Sequence, residues 1–539
     1  MPITPTLASL ESALPLAAVL LPAVAAMICY RIGTPLARDR VAILGIVSTA
    51  GLVAALLASL AAGRTPTVTA GELTPGIAFT LAADPLGGLF AGFVAVCYLI
   101  AVPLVVVDRR LRSPAPGARV HACLLASQAA ALCAAFAGNL LLLFIALEIL
   151  TLVTYPLVAH AETRRARRAA YAYLAYAFGG GLALLGGIRV VYAQTGSVDF
   201  VTGGIPALTH SGSPRILSAA MALFVVGFGV KMAAVPLHSW LFRARAAPPL
   251  VYESVFVTVV TTAGVVGLGR VILQVFGPSE LTLGATGGLL LGLAAITALY
   301  AGTMAIATER AADRFVALSI TGGAIALVGF ATASWTLSTA AIGIPMLHAL
   351  LVLVALVALS ARSRRTDATA RPRNARVPAT LVLRAASGAL VGLTWLLLVA
   401  AVALPLEWRT DRAWLVISIL FVVAIAHTAS ISPIVRERAV TETHSLAAPD
   451  RSILGRIAEQ LRTAARTVEA RGDRAARAVL RSVRAPETAI EAALPARVRP
   501  WYRRRRSRTV GATGTKLGVE ESLYVLGAVL ALALLVGLR

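Results

Sequence analysis

Charge is scarce in this sequence: Asp, Glu, Lys and Arg make up 14% of its 539 residues, against 58% hydrophobic. A water-soluble globule of that length needs far more charged surface, so composition excludes one and leaves a membrane protein. Cysteine is scarce too. Cys29, Cys97, Cys123 and Cys133 all fall inside apolar runs without metal or redox spacing, which makes them small core residues. No iron–sulfur, haem or nucleotide-phosphate motif is present, so no cofactor or metal is expected, and electron transfer or ATP hydrolysis would belong to a partner. Basic residues are missing from the first ten positions, so the first apolar run is not a cleavable signal but a membrane span.

What the sequence has in plenty is long apolar runs. A span needs roughly 20 apolar residues to cross the hydrocarbon, and about fourteen runs meet that length, from 13–29 through 138–160, 216–234, 251–275, 338–360 and 412–430 to 519–538. The loop at 63–85 is longer and alternates in the manner of a short hairpin.

The net charge of +24 raises the question of nucleic acid, but its placement answers otherwise. Arginines crowd every second loop: Arg31, Arg38 and Arg40; Arg109, Arg110, Arg112 and Arg119; Arg164, Arg165, Arg167 and Arg168; Arg243 and Arg245; Arg310 and Arg314. The intervening loops are nearly free of them. This is the positive-inside pattern of a multi-pass protein of a prokaryotic inner membrane, with both termini outside the cytoplasm and anionic phospholipid, not nucleic acid, beside the arginines. Residues 431–518 differ in kind. They are basic, and Ile453, Leu454, Ile457, Leu461, Val468, Val479, Leu480 and Val483 recur at helical spacing, as in an amphipathic arm lying on the membrane or a neighbouring subunit, returned to the bilayer by a C-terminal anchor.

Lysine is the rarest charge of all. Of 49 lysines and arginines only Lys231 and Lys516 are lysine, and Lys231 stands deep in an apolar run. An arginine cannot give up its proton in a protein, whereas a lysine removed from water can, so a site that must gain and lose a proton requires lysine. In VGFGVKMAAVPLHSWL, Pro236 cannot donate a hydrogen bond to the Met232 carbonyl, which predicts a helix broken just past the lysine. His238 follows the break as a candidate proton relay. Glu148 lies mid-span in GNLLLLFIALEILTLVTYPLVAH, where an unpaired carboxylate is very costly; Lys231 is the cation at similar depth and its expected partner.

Together these segments resemble the antiporter-like proton-translocating subunits of respiratory complex I, membrane-bound hydrogenases and multisubunit cation/proton antiporters. KMAAVPLHSWL is similar to that family's broken-helix signature, with Lys231 its central lysine, and Glu148 falls at its essential glutamate. LAADPLGGLFAG with Asp84, RRAAYAYLAYAFGGGLALLGG, DRFVALSITGGAIALVGF and IPMLHALLVLVALVAL with His348 resemble further family segments. The chain departs from the pattern where the family has lysines: Thr262 and Val352 stand there, and the twelfth span offers only Arg384.

The resemblance implies an all-α polytopic fold with two inverted five-helix repeats containing broken helices. On that basis residues 1–117 are N-terminal spans, 118–275 a first repeat holding Glu148 and Lys231, 276–430 a second and degenerate repeat, 431–518 the basic amphipathic arm and 519–539 the anchor. The function implied is proton conduction within a larger energy-coupled complex, not catalysis by this chain itself. The proton path would use Glu148, Lys231 and His238, with Asp84, Glu253 and His348 as accessory candidates. Two alternatives stay open: a proton path serving a carbonic-anhydrase-like partner in inorganic carbon uptake, and a non-conducting membrane scaffold.

Overall fold

In the computed structural model the described residues are 11–107, 114–211, 213–245, 256–277, 285–308, 311–331 and 335–366, with Ala389, Leu420, Val423, Ala424 and His427 beyond them. Glu253, Arg384, the amphipathic arm, the apolar run at 519–538, most of that at 412–430 and all but Ala389 of that at 378–404 lie outside the described residues. Eleven described helical segments are long and apolar enough to cross a membrane.

The first three are α1 (Leu14–Arg31), α2 (Pro35–Ala61) and α3 (Pro85–Val107). Proline opens α2 and α3 because its missing N–H falls where a helix has no partner for one. Between α2 and α3 the chain makes an antiparallel hairpin of β1 (Thr67–Thr74) and β2 (Ile77–Ala82), with Thr67 opposite Ala82 and Thr69 opposite Thr80. Gly76 turns it with φ of 82°, a conformation glycine adopts without strain.

α4 (Pro114–Phe136) and α5 (Leu140–Val158) follow, joined by a tight turn on which the hairpin rests. Gly138 N donates to the Thr80 carbonyl at 2.9 Å, and Asn139 Nδ2 to the Ala78 carbonyl at 2.8 Å. Asn139 also caps α5 by accepting from Leu142 N at 2.8 Å. α6 (Arg164–Thr195) is capped by Thr163 and ends at Gly196, whose φ is 69°. After the short α7 (Pro206–Ser211) comes α8 (Pro214–Lys231).

α6 and α8 touch through glycine. A side-chain carbon at Gly227 would stand 2.8 Å from the Gly180 carbonyl oxygen, so only glycine lets the backbones approach this closely. Beyond α8 lie α9 (Ser239–Arg245), then α10 (Thr261–Arg270) flanked by π-helical turns Phe256–Val260 and Val271–Phe276. α11 (Ala285–Ala307), α12 (Ala311–Phe330) and α13 (Trp335–Thr366) complete the described bundle. One buried apolar cluster runs from α1 to α13, and a smaller one joins Phe315, Leu318, Val352 and Leu356.

Candidate functional site

The broken helix is present, and its hydrogen bonds explain why it stops. Ala234 N donates back to the Gly229 carbonyl at 2.8 Å and Ala233 N to the Val230 carbonyl at 3.1 Å. That is a Schellman ending, and Ala233 fills its left-handed position with φ of 58°, where glycine is usual. The Val230 carbonyl also accepts from Trp240 Nε1 at 2.9 Å, and Val235 N donates to Thr297 Oγ1 at 3.1 Å. Pro236 has no N–H with which to continue the ladder. Lys231 is therefore the last residue of α8, at the end where free carbonyls favour a cation.

Lys231 is 4% exposed and Glu148, in mid-α5, is 2% exposed. Lys231 Nζ donates to Glu148 Oε1 at 3.0 Å, to Thr151 Oγ1 at 2.7 Å and to the Leu147 carbonyl at 3.4 Å. Three acceptors match the three N–H bonds of an ammonium. The other carboxylate oxygen, Oε2, is buried with no hydrogen-bond partner. Gly181 of α6 leaves the room that the carboxylate fills. α10 closes the other flank: a carbon at Gly264 would stand 2.6 Å from Met232 N.

Hydroxyl groups lead away from the pair. Thr154, one turn beyond Thr151, bonds with Tyr173 Oη at 2.8 Å, and Ser239 Oγ donates to Tyr176 Oη at 2.9 Å. Tyr173, Trp240 and Phe256 pack ring against ring beside them.

Among the described residues, the other candidates do not join the pair. His238 is fully buried, with its ring centroid 4.2 Å from that of Tyr300, and neither of its nitrogens has a hydrogen-bond partner. Asp84 caps α3 through Gly87 N at 2.7 Å and binds Arg270, whose Nη2 lies 2.8 Å from Oδ1 and Nη1 3.2 Å from Oδ2. Arg270 Nη2 also donates to the Ala135 carbonyl at 2.7 Å, and Gln274 Nε2 to Asp84 Oδ2 at 2.6 Å. Asp84 thus ties α3, α4 and the end of α10 together. His348 meets His427, Nε2 to Nε2 at 2.8 Å. Thr262 and Val352, where the resemblance leads one to look for lysines, are buried. Among the described residues no cluster of three His, Cys, Asp or Glu side chains is placed to hold a metal.

Sequence reasoning singled out neither Arg270 nor His427. Each interrupts an apolar run, in VVGLGRVILQVF and in FVVAIAHTAS, and that interruption is the signal that marks them.

Residues 137–431 match the family described as NADH:quinone oxidoreductase/Mrp antiporter, transmembrane. The chain belongs to this family. Among its relatives, NADH-quinone oxidoreductase subunit N of Deinococcus radiodurans is 32% identical over 207 residues, covering 38% of this chain and 42% of that protein. Subunit N of Desulforudis audaxviator is 30% identical over 331 residues, covering 59% of this chain and 62% of that protein. The aligned stretch is thus less than two thirds of either relative. Solved structures share the antiporter-family fold at low identity. A chain of the membrane-bound sulfane sulfur reductase, an archaeal respiratory membrane complex, superposes with a TM-score of 0.67 at 18% identity, over 88% of this chain and 96% of its own. A chain of the Mrp complex from Dietzia sp. DQ12-45-1b gives 0.63 at 18%, over 78% and 79%. This antiporter-family chain is therefore a multi-pass helical membrane protein with a buried Lys231–Glu148 ion pair.

Proposed function

We propose that this chain is the proton-conducting membrane subunit of a larger energy-coupled complex and that Glu148 and Lys231 are its switchable proton site. The observation that carries this reading is the ammonium held by three acceptors beside a carboxylate with one oxygen left bare. Two charges so coupled in a dry surrounding exchange protons together. If the carboxylate moves or takes up a proton, the ammonium becomes an unpaired buried charge, and shedding its proton relieves that cost. His238, buried beyond the helix break, is the next group able to accept a proton. The scarcity of lysine supports the same reading, because arginine would hold the charge without ever releasing it.

The rest of the architecture follows from the same reading. The chain has about fourteen spans with both termini outside the cytoplasm, by the alternation of its arginine loops. Residues 118–275 and 276–430 are inverted repeats, and 431–518 form an arm that docks on another subunit before the anchor at 519–539. Partner subunits supply the driving reaction.

The test is the double variant Glu148→Gln with Lys231→Met in the intact complex, reconstituted in proteoliposomes. It removes both charges together and so avoids the roughly 3–5 kcal/mol cost of stranding one. Assembly is expected to stay near wild type while proton-coupled activity is lost. Wild-type activity in an assembled double variant would make the pair structural and the chain a scaffold.

A further inference from the structure

We propose that Asp84, Arg270 and Gln274 form a proton-tight seal at the hairpin end of the bundle, which stops the Glu148–Lys231 site from exchanging protons through that end. The proposal rests on the proton-conducting reading and adds to it a barrier built from three residues outside the pair.

The chemistry of the cluster is the opposite of that around Glu148. A proton hops along groups that can both accept one and give one up. Glu148 keeps Oε2 bare, and its partner is a lysine, which can release a proton. Asp84 offers no such opening. Its Oδ1 accepts from Gly87 N at 2.7 Å and from Arg270 Nη2 at 2.8 Å. Its Oδ2 accepts from Gln274 Nε2 at 2.6 Å and from Arg270 Nη1 at 3.2 Å. A carboxylate has about four lone-pair sites, so an N–H already stands on each.

The cation is an arginine, which has no lone pair to accept a proton and does not release one. Nη1 also donates to Gln274 Oε1 at 2.9 Å and Nη2 to the Ala135 carbonyl at 2.7 Å, while Nε is buried with no hydrogen-bond partner. Gln274 closes the ring. Its oxygen faces the guanidinium and its nitrogen the carboxylate, the orientation that the two charges dictate.

The cluster is closed sterically as well. A side-chain carbon at Gly87 would stand 2.7 Å from Arg270 Nη2 and 2.8 Å from Asp84 Oδ1, which leaves no space for water on that side. The Phe200 ring covers the guanidinium, with its centroid 5.0 Å from the central carbon. Phe200 N donates to the Gly138 carbonyl at 3.1 Å, and Val201 N to the Gln274 carbonyl at 3.0 Å, so the covering loop is tied to the hairpin turn and to the end of α10.

Placement makes this closure matter. The Arg270 side chain is 1% exposed and that of Asp84 25%, so the cluster has one wet side and one dry side. The dry side leads to the pair through α10. A carbon at Gly264 would stand 2.9 Å from Lys231 Cβ, and Arg270 follows on the same helix. At the rise of an α-helix the separation along the axis is about 9 Å. A proton crossing between the two would have to pass a fixed, buried positive charge, the kind of barrier that excludes protons from water-conducting pores.

The experiment uses the intact complex in proteoliposomes, with a pH-sensitive dye inside and a potassium diffusion potential set by valinomycin, without any driving reaction. Wild type is expected to be proton-tight. Arg270→Gln replaces the donor-only guanidinium with an amide that also accepts, and bares lone pairs of Asp84. It is expected to raise passive proton entry several-fold while sodium entry, read with a sodium-sensitive dye, stays at the wild-type rate. Adding Glu148→Gln and Lys231→Met is expected to return proton entry to the wild-type rate. If Arg270→Gln fails to assemble, Gln274→Leu decides: it keeps the ion pair, bares one lone pair of Asp84, and is expected to give a smaller proton-only leak. An assembled variant that stays tight overturns the seal. So does a leak that carries sodium equally, which marks damaged packing, or one that survives removal of the pair. Wild-type coupled activity in the Glu148→Gln, Lys231→Met double variant overturns the underlying function instead, so the two failures are separate.

Discussion

The carboxylate of Glu148 occupies the space that a side chain at Gly181 would need: a carbon there would stand 2.9 Å from Glu148 Oε1. The glycine-rich stretch of α6 is therefore part of the ion pair's wall. Gly179, two residues earlier, has nothing within 4 Å of such a carbon. Gly181→Ala is expected to push the carboxylate off Lys231 and lower stability by about 1–3 kcal/mol, as overpacking does. Gly179→Ala should be neutral or stabilising, since alanine favours helix by about 1 kcal/mol. Thermal unfolding of both variants in the same detergent, with transport measured alongside, checks the contrast.

Thr151 holds the lysine as well as the glutamate does, at 2.7 Å. Thr151→Val keeps the shape and removes the acceptor. The loss of a hydrogen bond to a charged group costs about 1.5–3 kcal/mol. A double-mutant cycle with Lys231→Met isolates that term, and the expected result is that Thr151→Val costs little once the ammonium is gone.

Arg270 and Asp84 make a further internal ion pair, with two-point contact. The guanidinium is 1% exposed, while the Asp84 side chain keeps 25% of its surface. Arg270→Lys retains charge but not the planar fork that reaches Asp84, Gln274 and the Ala135 carbonyl together. Arg270→Met leaves Asp84 without its cation, at a cost near the lower end of the roughly 3–5 kcal/mol for fully buried pairs. Both variants should unfold at lower temperature. Asp84→Asn combined with Arg270→Met is expected to recover part of the loss, and full additivity of the two single effects would argue against direct coupling.

Ala233 closes α8 in a left-handed conformation with its side chain fully buried. Ala233→Gly removes backbone strain worth about 1–2 kcal/mol but also a buried methyl worth about 0.8 kcal/mol, so stability should change little. Ala233→Val adds a β-branch where that conformation tolerates none and should destabilise clearly. Equal stability of the two variants would show that the break does not depend on residue 233.

Reporter fusions test orientation. Those within 109–119, 361–377 and 431–518 are expected in the cytoplasm and those at both termini outside. A cytoplasmic N-terminus would refute the count of about fourteen spans.

The eleven described spans, the arginine alternation, the hairpin and the helix break just past Lys231 were legible in the sequence, because each follows from local composition or from turn and helix-breaking residues. Lys231 and Glu148 stood out for the same reason: an ionisable group inside an apolar run is costly wherever it occurs. Their partnership was inferable only as an expectation, since 83 positions separate them and depth alone does not establish contact. Tertiary structure decided the rest. It placed Thr151 as a third party to the pair, set Gly181 against the carboxylate, and left His238 without a hydrogen bond to either. It made Asp84 the cap of α3 and the partner of Arg270, and paired His348 with His427 across 79 positions. Those outcomes depend on which faces of which helices meet. Apolar faces look alike in a membrane, so packing of small residues and the need to satisfy every buried polar atom select the contacts, and neither is visible until the helices are side by side.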